Sequence, residues 1–365
     1  MTTITSAPVR EVAPPVGRRA VPRKVQAFTF DDRLSLFGSL ASSFALVTIG
    51  YDHLLDTSGI VGFLVCWYFV FLLVYAGVLS MSNTRALVVE RLVTATLYAV
   101  AALVIFALGS AVLYTFFQGW HAFVHFGFLT HDMSGVSPTA PLSHGGILQA
   151  IAGTVIEVAI AVGVSLPLGI GTAIYMSEVG GRWSRLVRTV VEAMTALPEI
   201  LAGLFVYVTL IVEVGLPKSG LAASIAMSVT MVPIIARASE VALRIVPRGL
   251  REASSALGAS HWKTVRKVVL PSARSGLATA TILATARGIG ETAIVLITSG
   301  ASSFLTFNPI GNPMNSLPLF IYTAYTTHEP VAIARAFGAA SVLLLMVLVL
   351  FVATRFLARE KGVAR

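Results

Sequence analysis

Apolar and polar positions in this chain alternate in long blocks rather than in the short periods of a soluble helix or strand. Apolar runs at 34–52, 59–80, 92–118, 147–176, 196–216, 219–237, 275–299 and 335–355 are separated by polar stretches. Each is close to the ~20 residues an α-helix needs to cross a hydrocarbon core. A helix also satisfies its own backbone polar groups there. The pattern predicts an all-α, polytopic membrane protein with about eight transmembrane helices.

The separators fall into two kinds. Arg10, Arg18, Arg19, Arg23, Lys24 and Arg33 precede the first run, and Arg85 and Arg91 follow the second. Arg182, Arg185 and Arg188, then the segment from Arg244 to Arg274, then Arg355, Arg359, Lys361 and Arg365 continue the basic set. The opposite loops, 52–58, 119–146 and 300–330, contain no Lys or Arg. Such segregation predicts that both termini are cytoplasmic. The net charge of +9 then reports topology, and a tail facing lipid headgroups accounts for it better than a nucleic-acid partner does. Trp120 and Phe123 flank the polar loop 119–146 in the manner of an interfacial aromatic belt.

Two basic separators carry helical patterns of their own. In 182–194, apolar residues at 183, 186, 187, 190, 191 and 194 share one face, opposite the three arginines. That face predicts an amphipathic helix lying on the cytoplasmic interface. In 247–273, Pro247 suits a first helical turn, Gly258 a helix end, and Ser260 a cap for a second short helix that Pro271 stops. Ala253, Ser254, Ser255 and Ala256 make the first helix thin enough for a partner's groove. Trp262, Val265, Val268 and Val269 share a face on the second.

Composition agrees with the block pattern. The chain is 365 residues, 56% hydrophobic and 12% charged, roughly half the charged fraction of soluble domains. The single cysteine, Cys66, lies within an apolar run, so neither a disulfide framework nor a thiolate metal centre is expected. About thirty polar residues precede the first run, unlike a cleaved signal, whose apolar core comes earlier. No Gly-rich loop ending in Gly-Lys-Ser/Thr occurs, so ATP hydrolysis is not expected in this chain.

The 252–271 stretch resembles a known family. Glu252-Ala253-Ser254, three residues, Gly258, nine residues, Val268, one residue, then Leu270-Pro271 is similar to the EAA loop of binding-protein-dependent ABC importer permeases. Ser254 and Val268 depart conservatively from the family's usual Ala and Ile. The resemblance implies a coupling helix seated in a cleft of a separate ATPase subunit, with Glu252, Ala253, Gly258, Leu270 and Pro271 as its marks. ARGIGETA at 286–293, LPEILAGLFVY at 197–207 and MNSLPLFIY at 314–322 resemble the permeases of phosphate-specific ABC importers, the last stretch those of the A type. This likeness covers roughly 92–365. It implies a six-helix (MetI-like) permease core, a C-type partner permease and two ATPase copies that bind ATP and Mg. It also implies an extracytoplasmic phosphate-binding protein meeting the 300–330 loop. The resulting organisation is a basic tail at 1–33, two additional helices at 34–82, a permease domain at 92–357 and a short C-terminus at 358–365.

Arg287 and Glu291 fall near the middle of the seventh run, where each charge costs about 2.5–3.5 kcal/mol on insertion scales. Their i,i+4 spacing predicts one helix face, in the weaker Arg-before-Glu order. They are candidate pathway residues or, alternatively, a pair locking helices together. Phosphate keeps a proton at neutral pH and sulfate does not. The expectation is that Arg287 compensates the anion while Glu291 accepts that proton's hydrogen bond. Arg237 is a second candidate guide or a positive-inside anchor.

Other signals are weaker. His121, His125, His131 and Asp132 are read as interfacial residues rather than a metal site. Gly169-Ile170-Gly171 is read as helix packing. Alternative functions are a permease for molybdate or sulfate, an ion-coupled transporter using Glu157 and Glu213, or a phosphate sensor contacting a kinase.

Overall fold

The computed structural model describes residues 30–53 and 59–358. Most of the basic tail read at 1–33, the loop 54–58 and the C-terminus after Ala358 lie outside the described residues. The described residues form helices α1 (Phe30–His53), α2 (Ile60–Ser80), α3 (Arg85–Phe123), α4 (Gly127–Thr130), α5 (Leu148–Ile174), α6 (Arg182–Thr195) and α7 (Glu199–Val206). They continue with α8 (Gly220–Ile245), α9 (Arg248–Ala256), α10 (His261–Thr264), α11 (Leu270–Ile289), α12 (Ala293–Thr298), α13 (Leu317–Thr326) and α14 (Pro330–Ala358). Among these residues there is no strand. The chain divides within α3, after Ala107, into two units.

In the first unit, α1 and α2 pair through aromatic contacts. Trp67 Nε1 donates to Ser43 Oγ at 3.1 Å, and Phe44 meets Phe63 and Trp67 edge-on. Phe71, Tyr75 and Leu79 of α2 are buried against Leu36, Val88 and Leu92. Arg91 and Asp32 form an ion pair at 2.9 Å.

The second unit is built around α5, α8 and α11. Val158, Ala161, Met227, Met231, Ile235, Ala284 and Ile289 form its central core. Small residues set the spacing, as lipid offers no hydrophobic drive to press helices together. A Cβ at Gly169 would lie 2.6 Å from Ile235, and one at Gly276 would lie 2.5 Å from Ala242.

One end of this unit is polar-looped and internally tied. Arg335 of α14 is 1% exposed. Its guanidinium donates to the carbonyls of Pro138, Ala140, Pro141 and His144 at 2.8–3.3 Å. Asp132 accepts from the Leu305 amide at 2.9 Å, and the Met133 amide donates to Ser303 at 3.0 Å. Thr154 of α5 receives the Leu317 amide at 2.7 Å, seating the start of α13.

Six helices are long and apolar enough to cross a membrane among the described residues, or seven if the bent pair 182–195 and 199–213 counts as one span. This corrects the expected eight in two places. The run 196–216 is α7 followed by a π-helical segment, Tyr207–Glu213, bent by 102° from α6. The run 275–299 is not one helix: α11 ends at Ile289, and the Gly290 amide tightens the last turn by bonding to Arg287 at 3.1 Å. The 300–330 segment is also less loop-like than its polarity suggested. It contains α13, with Leu317, Pro318, Leu319 and Phe320 buried.

Candidate translocation site and coupling face

The break after α11 decides the site. Arg287 lies in the last turn of α11, and Gly290 ends the helix, so Glu291 stands in the α11–α12 junction. The two residues therefore do not share a helix face as the i,i+4 spacing suggested, because a continuous helix is required for that. They still meet, with Arg287 Nε 3.8 Å from Glu291 Oε1.

A third residue enters from another element. Pro198 is extended at the N-cap of α7, and Glu199 is the first residue of that helix. A carboxylate there is favoured by the helix dipole. α7 is held close to α12 because Gly203 has no side chain: a Cβ would lie 3.1 Å from the Ile294 Cα. Val206, Ala226 and Ile294 bury the same contact. This packing delivers Glu199 to Arg287, and the two side chains form an ion pair.

Exposure separates the three groups. The side chain of Arg287 is 53% exposed, that of Glu199 34% and that of Glu291 5%. Glu291 thus backs Arg287 from the protein side, and Glu199 covers it from the open side. Gly288 rests against Met231 and Met227, near the middle of α8, so the arginine sits deep along the helix bundle. A cavity of about 620 Å³ opens at the α11–α12 junction and α13, lined by Gly290, Thr292, Leu296, Pro318, Tyr322 and Tyr325, with none of the three charged groups in its lining. A separate cavity of about 470 Å³ between α5, α11 and α14 is lined by aliphatic, aromatic and threonine side chains and holds no charge.

Arg237 stands elsewhere. It pairs with Glu192 at 3.1 Å and with Glu240 at 3.5 Å. Glu240 is 2% exposed and also receives Arg188 at 2.6 Å and Arg244 at 2.7 Å. This cluster clamps α6 onto α8. Val187 and Val191 of α6 pack with Met176 and Ala236, whereas Trp183, Leu186 and Val190 remain exposed.

At the arginine-rich end, α9 presents Glu252 and Ala253 outward. Gly258 has φ +77°, a conformation that L side chains rarely adopt. Arg251 anchors the helix by pairing with Glu178 at 2.8 Å and donating to the Leu243 and Val246 carbonyls. Ser254 and Thr264 join α9 to α10 at 2.9 Å. Leu257 and Trp262 are 89% and 61% exposed, an apolar patch suited to docking.

Two expectations about this segment need correction. Pro247 is the N-cap of α9, outside its first turn. Pro271 does not stop the second helix: α10 runs through a π-helical segment, Val265–Val269, into α11, whose first turn holds Pro271. The wider π turn accommodates a ring that would clash with the preceding carbonyls in a regular helix. Leu270 is half-buried and Pro271 exposed there.

Sequence reasoning did not single out Glu199, Glu240, Arg251 or Arg335. Two of them carried a readable sign. Glu199 follows a proline at the head of an apolar run, and Arg335 stands at the start of the last one. Their partners are distant in sequence, so only packing reveals their roles.

The family described as the binding-protein-dependent transport system inner membrane component matches residues 165–362. The chain belongs to this family. It is a multi-pass membrane protein. Among its relatives, the phosphate transport system permease protein PstA 1 of Mycobacterium tuberculosis (strain CDC 1551 / Oshkosh) is 38% identical over 247 residues, 65% of this chain and 81% of the relative. The phosphate transport system permease protein PstA of Haemophilus influenzae is 32% identical over 235 residues, 64% and 83% of the two chains. A chain of the bacterial alginate ABC transporter, solved with an alginate pentasaccharide-bound periplasmic protein, has a TM-score of 0.50 at 14% identity. That match covers 74% of this chain and 96% of the other, a likeness of fold.

Proposed function

We propose that this chain is a permease subunit of an ATP-driven importer that moves inorganic phosphate across a bacterial cytoplasmic membrane. The observation that carries the reading is a half-exposed arginine, Arg287, held mid-bundle between carboxylates of two other elements. The names of the relatives supply the substrate.

In this reading both termini are cytoplasmic, α9 and α10 face the cytoplasm, and the tied loops 124–147 and 299–316 meet an extracytoplasmic phosphate-binding protein. A C-type permease completes the pathway. Two copies of an ATPase bind ATP and Mg and hydrolyse the nucleotide, so no residue here is catalytic. Glu252, Ala253, Gly258, Leu270 and Pro271 belong to the docking element. Rotation of a docked ATPase pulls on α9. Arg251 transmits that pull to Glu178 and the end of α8, while the continuous α10–π–α11 rod carries it toward Arg287.

Arg287 offers a guanidinium that matches two oxygens of a tetrahedral oxyanion. Glu291 orients it from behind and limits the acceptable charge of the anion. A partner that still carries a proton meets this carboxylate more favourably than one that does not.

The decisive experiment is uptake of labelled phosphate by phosphate-starved cells with and without the gene, in a strain lacking other phosphate systems. Sulfate and molybdate serve as competitors. Loss of uptake on deletion, indifferent to both competitors, is the expected result. Undiminished phosphate uptake would remove phosphate as the cargo.

A further inference from the structure

The charges around Arg287 do not suit an anion site left open. One cation stands between two carboxylates, contributed by three elements: α7, α11 and the α11–α12 junction. Counted as ionised side chains, the group carries a net charge of −1, which repels an incoming anion. One carboxylate must yield before the guanidinium is available.

The two are not equivalent. Glu291 is 5% exposed and lies at 3.8 Å from the guanidinium, enclosed in the junction. Glu199 is 34% exposed, makes the direct ion pair and sits at the first position of α7. A carboxylate there keeps a favourable location after it releases the arginine, near the free amides that begin a helix. Glu291 has no comparable site, and moving it would open the junction that sets the α11–α12 break.

We infer that Glu199 is an internal substitute for the transported anion: it occupies Arg287 while the pathway is empty and is displaced when substrate arrives. The inference rests on the proposed phosphate reading for its substrate. The consequence is specific. Holding the arginine covered prevents anions from using it as a passive stepping stone between the two sides, so Glu199 limits leak rather than capture.

The test uses the intact transporter in its own host, with substitutions at the chromosomal locus. Two quantities are measured: energised uptake of labelled phosphate, and its loss from preloaded cells stripped of ATP. Glu199→Gln is expected to raise the leak about two- to fivefold, the range spanned by partly exposed ion pairs. The half-saturating concentration of uptake should stay unchanged, because phosphate is captured outside. Glu199→Asp, which keeps the charge, should leak as the parent does. In an Arg287→Gln background, Glu199→Gln should add nothing, because there is no guanidinium left to uncover. A leak equal to that of the parent overturns the inference, as does an equal increase with and without Arg287, which would mark damaged packing. Membrane abundance of each variant is measured alongside. Failure of the parent transporter itself to move phosphate would instead overturn the functional reading, so the two failures are separable.

Discussion

Two arginine–glutamate clusters lie in the second unit, and they are built in opposite senses. At Glu240, one buried carboxylate gathers three partly exposed arginines, Arg188, Arg237 and Arg244. At Arg287, one half-exposed arginine is shared by two carboxylates, of which one is buried. The first arrangement satisfies a charge that burial would otherwise make expensive, and its outward side offers cations already committed to neighbours. The second holds a single half-exposed cation, covered from its open side by a carboxylate that is itself partly exposed. In sequence Arg237 and Arg287 looked like comparable guides for an anion. Each of these two arginines meets one buried and one more exposed carboxylate, Glu240 and Glu192 for Arg237, Glu291 and Glu199 for Arg287. What differs is that Glu240 also binds Arg188 and Arg244, whereas the buried carboxylate at Arg287 is paired with that arginine alone.

Substitutions at the two clusters test this contrast. Arg287→Gln should lower energised phosphate uptake tenfold or more, the loss expected for a charge-assisted contact of about 1.5–3 kcal/mol. Arg237→Gln should leave uptake within about twofold. Equal losses in an uptake assay would erase the distinction between clamp and site. Glu240→Gln should act on stability instead, removing about 2 kcal/mol because a buried acceptor loses its charge to three partners. Thermal unfolding of the purified protein reads this directly, and an unshifted transition would show that α6 is held by packing alone. Glu291→Gln should narrow the preference for phosphate over sulfate, measured by competition, with uptake itself reduced less than in Arg287→Gln. Unchanged preference would confine Glu291 to orienting its neighbour.

The smallest effect belongs to the polar-looped end. The Leu305 amide, with the amide and hydroxyl of Ser134, holds the Asp132 carboxyl below the usual carboxylate range. A depressed value means that this contact stabilises the fold above the ordinary aspartate pKa and is lost as pH falls through the lower, folded value. Hydrogen exchange at Leu305 should therefore lose protection at acid pH in the parent, relative to neighbouring amides. In Asp132→Asn that protection should be low and insensitive to pH. Protection in the parent that stays constant into strong acid would remove Asp132 as the tie.

Much of the architecture was legible because block hydropathy is a local property. α2, α5 and α14 cover the runs at 59–80, 147–176 and 335–355 closely. The amphipathic pattern of 182–194 marks α6, and Gly258 ends α9 one residue beyond its C-cap Leu257. What local pattern missed were interruptions within apolar sequence. The run 275–299 reads as one continuous helix, yet α11 ends at Ile289 with Gly290 as its C-cap. The turn at 290–292 instead places a carboxylate between two short elements, and apolar residues on both sides hide it from any hydropathy window. α13 was missed for the opposite reason: its apolar stretch is short, and its burial depends on Thr154 and Phe128 from other parts of the chain.

The candidate site divides the same way. Arg287 and Glu291 announced themselves as charges in an apolar run, since charge in such a run is costly wherever the helix lies. Glu199 did not, because its place after Pro198 at the start of α7 is that of an ordinary first-turn carboxylate and says nothing of a distant partner. Its partner is 88 positions away, reached only because Gly203 lets α7 close on α12.

The sequence by itself therefore determined the class of the protein, its helical content, the paired short helices of its basic loop and the identity of the central charges. Composition, periodicity and motif spacing suffice for these. Only the tertiary structure decided which arginine shares its buried carboxylate with other arginines, where the seventh run breaks, and that a second carboxylate covers Arg287. Those outcomes depend on close approach between helices distant along the chain, and on which side of each charge remains exposed once they have packed.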